Sequence, residues 1–85
     1  MKVDYSEHIL LRMKERKISR EDIEAIINTS VETVILPSKT DVSVILILGY
    51  VGKKDITVIM NRLTNKLITV RRMQKKERKL FKEVE

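Results

Sequence analysis

Three residues near the N-terminus combine one proton-transfer group with two phosphate-binding groups. His8, Arg12 and Arg16 are spaced four residues apart, so they share one side of the segment if it is helical. An imidazole can move a proton near neutral pH, and a guanidinium fork suits phosphate oxygens. Such a set could hold an RNA phosphate during cleavage. The alternative is an ordinary charged helix surface, on which the arginines pair with glutamates and the histidine caps or packs.

Positive charge concentrated near the C-terminus provides a second set of candidates. The net charge is +6, and +5 of it falls within residues 66–85. A localised charge of this kind favours a polyanion or an acidic protein as the partner, although a solvated lysine-rich helix has the same composition. The candidate nucleic-acid-binding residues are Arg72, Lys75, Lys76, Arg78 and Lys79.

The composition excludes several other kinds of site. The chain has no cysteine and one histidine, which excludes disulfides and leaves too few ligands for a typical transition-metal centre. Its two glycines are too few for a dinucleotide-binding fingerprint. We therefore expect no metal and no cofactor. The longest apolar stretch, residues 42–51, is about half the ~20 residues of a membrane span. Acids occupy the start, where a signal peptide has an apolar run, so we expect a cytoplasmic protein without a membrane partner.

The period of the apolar residues predicts which elements position these candidates. Apolar residues three and four apart predict a helix over residues 5–17, and a capping pattern from Ser19 to Asp22 opens a second helix that ends at residues 28–30. The period then changes to two, which predicts strands over residues 31–36, 42–50, 56–62 and 67–72. Short turns between the strands favour an antiparallel meander. Residues 74–85 form a basic helix with an apolar side. We predict a single α+β domain spanning residues 1–85.

The predicted strands carry expectations about individual side chains. The second strand is apolar on both alternating sets, so it should be central and covered on both faces, with Leu46 and Leu48 in the core. Arg71 and Arg72 are adjacent in the last strand, so only one of them can point into a given groove. Exposed charges that protect a sheet edge are the alternative. Tyr50 could stack on a base or be a half-buried sheet residue.

The motif of the two predicted helices resembles that of a known group of domains. The chain reads His8-x-x-x-Arg12-x-x-x-Arg16-x-Ile18-Ser19-x-x-Asp22-Ile23. This is similar to the opening of small uncharacterised bacterial and archaeal domains placed near the BrnT and RelE/ParE-like toxins, whose sheet also ends in a strand like residues 67–71.

The resemblance implies a RelE-like fold and a metal-independent endoribonuclease, or an RNA-binding relative of one. By position it assigns catalytic roles to His8, Arg12, Arg16 and Arg71, so we expect His8 to share one groove with an arginine of the first helix and a basic residue of the last strand. The implied partners are RNA, including messenger RNA on the ribosome, and an antitoxin protein. Many of these toxins carry an aromatic residue or a histidine in the last strand or beyond it, whereas this chain offers only Phe81 there. The alternative is a non-catalytic nucleic-acid-binding or protein-interaction module.

Overall fold

The structure, a computed structural model that describes residues 3–84, is an α+β fold of three helices and one four-stranded sheet. The elements are α1 (Glu7–Arg16), α2 (Arg20–Ile27), β1 (Thr33–Pro37), β2 (Val44–Val51), β3 (Lys54–Asn61), β4 (Lys66–Arg72) and α3 (Lys75–Val84). The predicted order of helices and strands is confirmed, with boundaries that differ by a few residues. None of the helices in the described residues has the length and apolar character needed to cross a membrane.

Side-chain caps define where the first two helices begin. The hydroxyl oxygen of Ser6 accepts a hydrogen bond from the backbone N–H of Ile9 at 3.2 Å. Ser19 and Asp22 form the predicted capping box, in which each side chain accepts from the other residue's backbone N–H, at 3.1 and 3.0 Å. Because these bonds satisfy N–H groups that have no partner within the helix, they fix the first turn of each helix.

The sheet is an antiparallel meander in the order β1-β2-β3-β4, as the short turns predict. The turn between β2 and β3 contains Gly52 at φ +63°, a left-handed conformation that glycine adopts without strain. A register shift between Ile59 and Met60 interrupts the pairing of β3 with β4. The strand order places β2 and β3 inside the sheet and leaves β1 and β4 as its two edges.

The two faces of the sheet are covered unequally. α1 and α2 pack on one face and enclose the larger core, which includes Ile23, Ile26 and Val58. α3 lies on the opposite face, where Leu48 and Phe81 belong to a smaller buried cluster. Part of this second face is left open beside α3.

Two predictions about β2 are wrong in detail. Val42 lies in the turn before the strand and is 85 % exposed. Leu48 is fully buried, as predicted, but Leu46 on the same face is only partly buried. The reason is that Leu46 lines the open part of the sheet beside α3. Alternation shows which face a strand residue occupies, but it does not show how far the covering helix reaches.

Candidate nucleic-acid interface

Helix α3 separates its buried and basic side chains onto different sides. Glu77 and Phe81 are buried against the sheet, whereas Lys75, Lys76 and Lys79 are exposed. Residues four apart share a helix face, so this division follows from the sequence of the helix. All five predicted nucleic-acid-binding residues are at least partly open to solvent, and three of them, the lysines, have no ion-pair partner in residues 3–84.

The other two predicted nucleic-acid-binding residues bind one carboxylate. Arg72 donates to Asp55 at 2.6 Å and Arg78 donates to it at 3.2 Å, while the backbone N–H of Met73 donates at 3.1 Å. Burial raises the pKa of Asp55, but the hydrogen bonds from Arg72 and Arg78 outweigh this effect and leave the pKa below its ordinary value. Arg72 and Arg78 thus fasten the junction of β4 and α3 to the first residues of β3.

Arg71, one of the predicted catalytic residues, belongs to a second carboxylate cluster. Its two Nη atoms donate to the two carboxylate oxygens of Glu77 at 2.6 and 2.8 Å. The hydroxyl of Thr57 and the backbone N–H of Gln74 donate to Glu77 at 3.0 and 2.8 Å. Burial raises the pKa of Glu77, but the bonds from Arg71, Gln74 and Thr57 more than offset this and lower the pKa. The bidentate geometry fixes the guanidinium plane, so Arg71 attaches α3 to the sheet.

These two clusters determine which positive charges remain available to a ligand. Asp55 and Glu77 together engage three arginines. Within residues 3–84, no carboxylate lies at ion-pair distance from Lys75, Lys76 or Lys79. The uncompensated charge of α3 is therefore carried by lysines, and the arginines around them have structural partners.

A groove of about 670 Å³ lies beside α3, over the open part of the sheet. Its apolar lining includes Leu36, Leu46 and Leu80, and the side chains of Lys39 and Lys76 also line it. Concave apolar surfaces with a few polar groups are typical of ligand sites. Because Lys76 belongs both to the groove and to the exposed side of α3, a bound chain could contact both surfaces.

Tyr50, which the sequence left open as a base-stacking residue, is half-buried beneath α3. Its ring packs edge-on against Phe81, with 5.2 Å between the ring centroids. Tyr50 is therefore a half-buried residue of the sheet, and its pair with Phe81 stabilises the contact between α3 and the sheet.

The predicted catalytic residues of α1 have three different surroundings. His8 is exposed, and Arg12 pairs with Glu15 at 3.3 Å on the surface. Arg16 donates from Nη1 to the backbone oxygen of Val70 at 2.7 Å. Arg16 thereby links α1 to the edge strand β4, and only His8 has no hydrogen-bond or ion-pair partner in the described part of the chain.

Arg71, the basic residue of the last strand that the resemblance assigned to the site, does not share a groove with the α1 residues. Val70 belongs to the core beneath α1 and α2, whereas Arg71, the next residue, binds Glu77 of α3. Adjacent strand residues point to opposite faces, so the guanidinium of Arg71 lies across the sheet from α1.

The side chains of residues 3–84 include no group of three or more possible ligands that could hold a metal ion.

Two carboxylates, Asp55 and Glu77, organise this end of the molecule and were not among the residues predicted from the sequence. Glu77 is the one acidic residue within residues 74–82, and its spacing of four from Phe81 places it on the buried side of the helix. That spacing was a usable signal. Asp55 gave none, because it lies in a predicted turn and its partners Arg72 and Arg78 are 17 and 23 residues away in the chain.

One protein family matches most of the chain, from just before α1 to the end of β4. Residues 5–72 match the family described as a domain of unknown function, DUF4258. The chain belongs to this family. The matched region ends with β4, so the lysines of α3 lie outside it. No curated protein and no solved structure matches the chain significantly. The family description names no activity.

Proposed function

We propose that this domain binds RNA through the exposed lysines of α3 and the adjoining groove. The observation that supports the proposal is the division of charge on α3. The three arginines on or next to α3 form ion pairs with Asp55 and Glu77. Lys75, Lys76 and Lys79, in contrast, face solvent without a carboxylate partner in the described residues. Lysine ammonium groups bind phosphates as point charges, and the net charge of +6 favours the approach of a polyanion.

A finer form of the proposal is a RelE/BrnT-like, metal-independent endoribonuclease that acts in the cytoplasm. Cleavage needs a base for the ribose 2′-hydroxyl, cations for the phosphorane and an acid for the leaving oxygen. The exposed imidazole of His8 would transfer the proton, and Arg12 one turn away would contact the phosphate. Arg16 would support the site by fixing α1 to β4, whereas Arg71 lies on the other face and holds α3. The resemblance of the helical motif supports this form, with messenger RNA and an antitoxin protein as its partners.

The lining of the groove favours a second candidate, a protein-interaction module. Three leucines and two lysines line the groove, and such a surface suits an acidic segment that carries apolar side chains. In this case the charge of α3 would steer an acidic protein rather than a nucleic acid.

The salt dependence of RNA binding tests the proposal. Neutralised phosphates release counterions, so each lost contact with a single strand lowers the slope of log K against log[salt] by about 0.7. The affinity of the full chain for a labelled single-stranded RNA should therefore fall steeply with salt. Replacing Lys75, Lys76 and Lys79 with Gln should weaken binding and flatten this slope.

A matched variant controls for the change in net charge. Three lysines outside α3 are exposed on other surfaces, namely Lys14, Lys53 and Lys66. Their triple replacement with Gln removes the same charge and should leave most of the slope in place. Equal slopes for the two triple variants, or no binding at low salt, would contradict the proposal.

A further inference from the structure

The two edges of the sheet differ in how their backbone groups are satisfied. The pairing of β4 with β3 leaves the carbonyl groups of Val70 and Arg72 facing outward, and arginine side chains bind both of them. Arg16 donates to the Val70 oxygen at 2.7 Å, and Arg71 donates to the Arg72 oxygen at 3.3 Å. Charged side chains on an edge strand discourage pairing with another chain. The β4 edge is therefore protected.

The β1 edge carries no charged side chain on the strand itself, and its proline, Pro37, blocks only one outward donor position. The backbone N–H of Ser38 donates to the Val44 oxygen at 3.0 Å, and the positions that bond to a neighbour alternate along an antiparallel strand. The N–H and C=O groups of Thr33 and Ile35 therefore point away from β2. Within residues 3–84, no side chain or backbone group bonds to them.

The side chains of β1 match its open edge. The strand reads TVILP without a charged residue, and Ile35 is 58 % exposed. Pro37 occupies the next outward position, where its missing N–H removes no bond to β2; toward a further strand it offers only its carbonyl, so Thr33 and Ile35 supply the outward N–H groups. A further strand could therefore pair with β1 without disturbing the existing sheet.

We propose that a second copy of this chain pairs with β1, antiparallel and centred on Ile35, to form a continuous sheet across a two-fold axis. Charge complementarity favours a second copy over an unrelated strand. Glu32 precedes β1 and Lys39 follows it; both are exposed and have no ion-pair partner in the described residues. Antiparallel pairing brings the acidic end of one strand to the basic end of the other, twice per dimer. Two-fold dimers are the commonest form of homo-oligomer.

The proposed dimer also has a consequence for the lysine surface. A two-fold axis normal to the sheet leaves both copies of α3 on the same face. The dimer would therefore present two lysine surfaces to one ligand, although the pairing itself does not require RNA binding. Failure of one proposal leaves the other to be judged by its own experiment.

Sedimentation equilibrium of the full chain from micromolar to millimolar concentration tests the dimer. The wild type should approach the mass of two chains, and Ile35→Lys should raise the dissociation constant at least about tenfold, because like charges directly opposite one another are destabilising. Ile68→Lys is the matched control, since Ile68 is an apolar residue of the other edge strand and 43 % exposed. This variant should dimerise like the wild type.

Backbone measurements keep the test decisive if Ile35→Lys does not fold. Ile35→Pro removes an outward N–H but no bond to β2, so it should also weaken the dimer. In the wild type, hydrogen exchange at the Ile35 amide should slow as the concentration rises, whereas the inward amide of Leu36 should be protected throughout. A wild type that stays monomeric at millimolar concentration, or a dimer whose Ile35 amide exchanges freely, would overturn the proposal.

Discussion

Arg71 of β4 and Glu77 of α3 form a bidentate ion pair, with N–O distances of 2.6 and 2.8 Å, at the junction of the sheet and the last helix. Their side chains are 22 % and 8 % exposed, so water has little access to the pair. Glu77 also accepts a bond from Thr57 of β3. One carboxylate therefore joins α3 to two strands, and the position of the proposed RNA-binding lysines depends on it.

Breaking this pair should destabilise the fold. Arg71→Ala would leave the buried carboxylate of Glu77 without its main partner, so we expect a loss of about 3 kcal/mol, the low end for a buried pair. In a domain of this size, that lowers Tm by roughly 12–24 °C, measured by thermal unfolding with circular dichroism. Arg12→Ala is the control, because the half-exposed pair with Glu15 should contribute less than about 1 kcal/mol. Similar Tm values for the two variants would contradict the prediction.

Acid should weaken the attachment of α3. The pKa values of Asp55 and Glu77 are lowered in the folded state, so the unfolded chain binds these protons more readily. Their stabilisation is complete above the unfolded-state pKa values, which lie near about 4, and is lost as the pH falls through the folded-state values. Urea unfolding at a series of pH values should show a free energy that falls below about pH 4.

Glu77→Gln isolates one part of this acid dependence. The variant lacks the negative charge that pairs with Arg71, so its free energy of unfolding should be lower at neutral pH. Because glutamine does not titrate, that free energy should also fall less steeply in acid. Asp22 also has a lowered pKa through its bonds with Ser19 and Lys54, against the raising effect of burial, and it should retain its share. An acid dependence as steep as that of the wild type would exclude Glu77 as a contributor.

The unequal cover of β2 predicts different effects for two nearby leucines. Leu48→Ala removes a fully buried side chain and should lower the free energy of unfolding by ~2–5 kcal/mol. Leu46→Ala trims a partly exposed side chain and should lower it by about 1 kcal/mol. Urea denaturation of both variants measures the difference. Equal losses would mean that α3 covers Leu46 in solution.

His8→Ala separates the ribonuclease form of the proposal from RNA binding alone. If His8 transfers a proton, its loss should slow RNA cleavage about 10²–10⁴-fold. The RNA affinity and Tm should change little, because the side chain is exposed. Cleavage is followed on gels in the presence of EDTA, with Lys14→Ala as a neighbouring control. A wild type that binds RNA but does not cleave it would refute the ribonuclease form and leave the binding proposal intact.

The sequence was sufficient to predict the order of elements, because each signal is local. Apolar residues three and four apart predicted the helices, and the change to a period of two after residue 30 predicted the strands. The capping box of Ser19 and Asp22 was visible as a pattern within four residues. The apolar side of the last helix followed in the same way, since the spacing of neighbouring residues decides it.

The excess of positive charge near the C-terminus was likewise determined by the sequence alone. Only the tertiary structure decided which of those charges are neutralised, because Asp55, the partner of Arg72 and Arg78, belongs to a distant element, β3. Arg72 finds Asp55 17 residues earlier in the chain, and Arg16 reaches the Val70 carbonyl across 54 residues. The partial exposure of Leu46 has the same origin. Such contacts depend on how the helices are placed over the sheet, and that placement is set by the packing of the whole core.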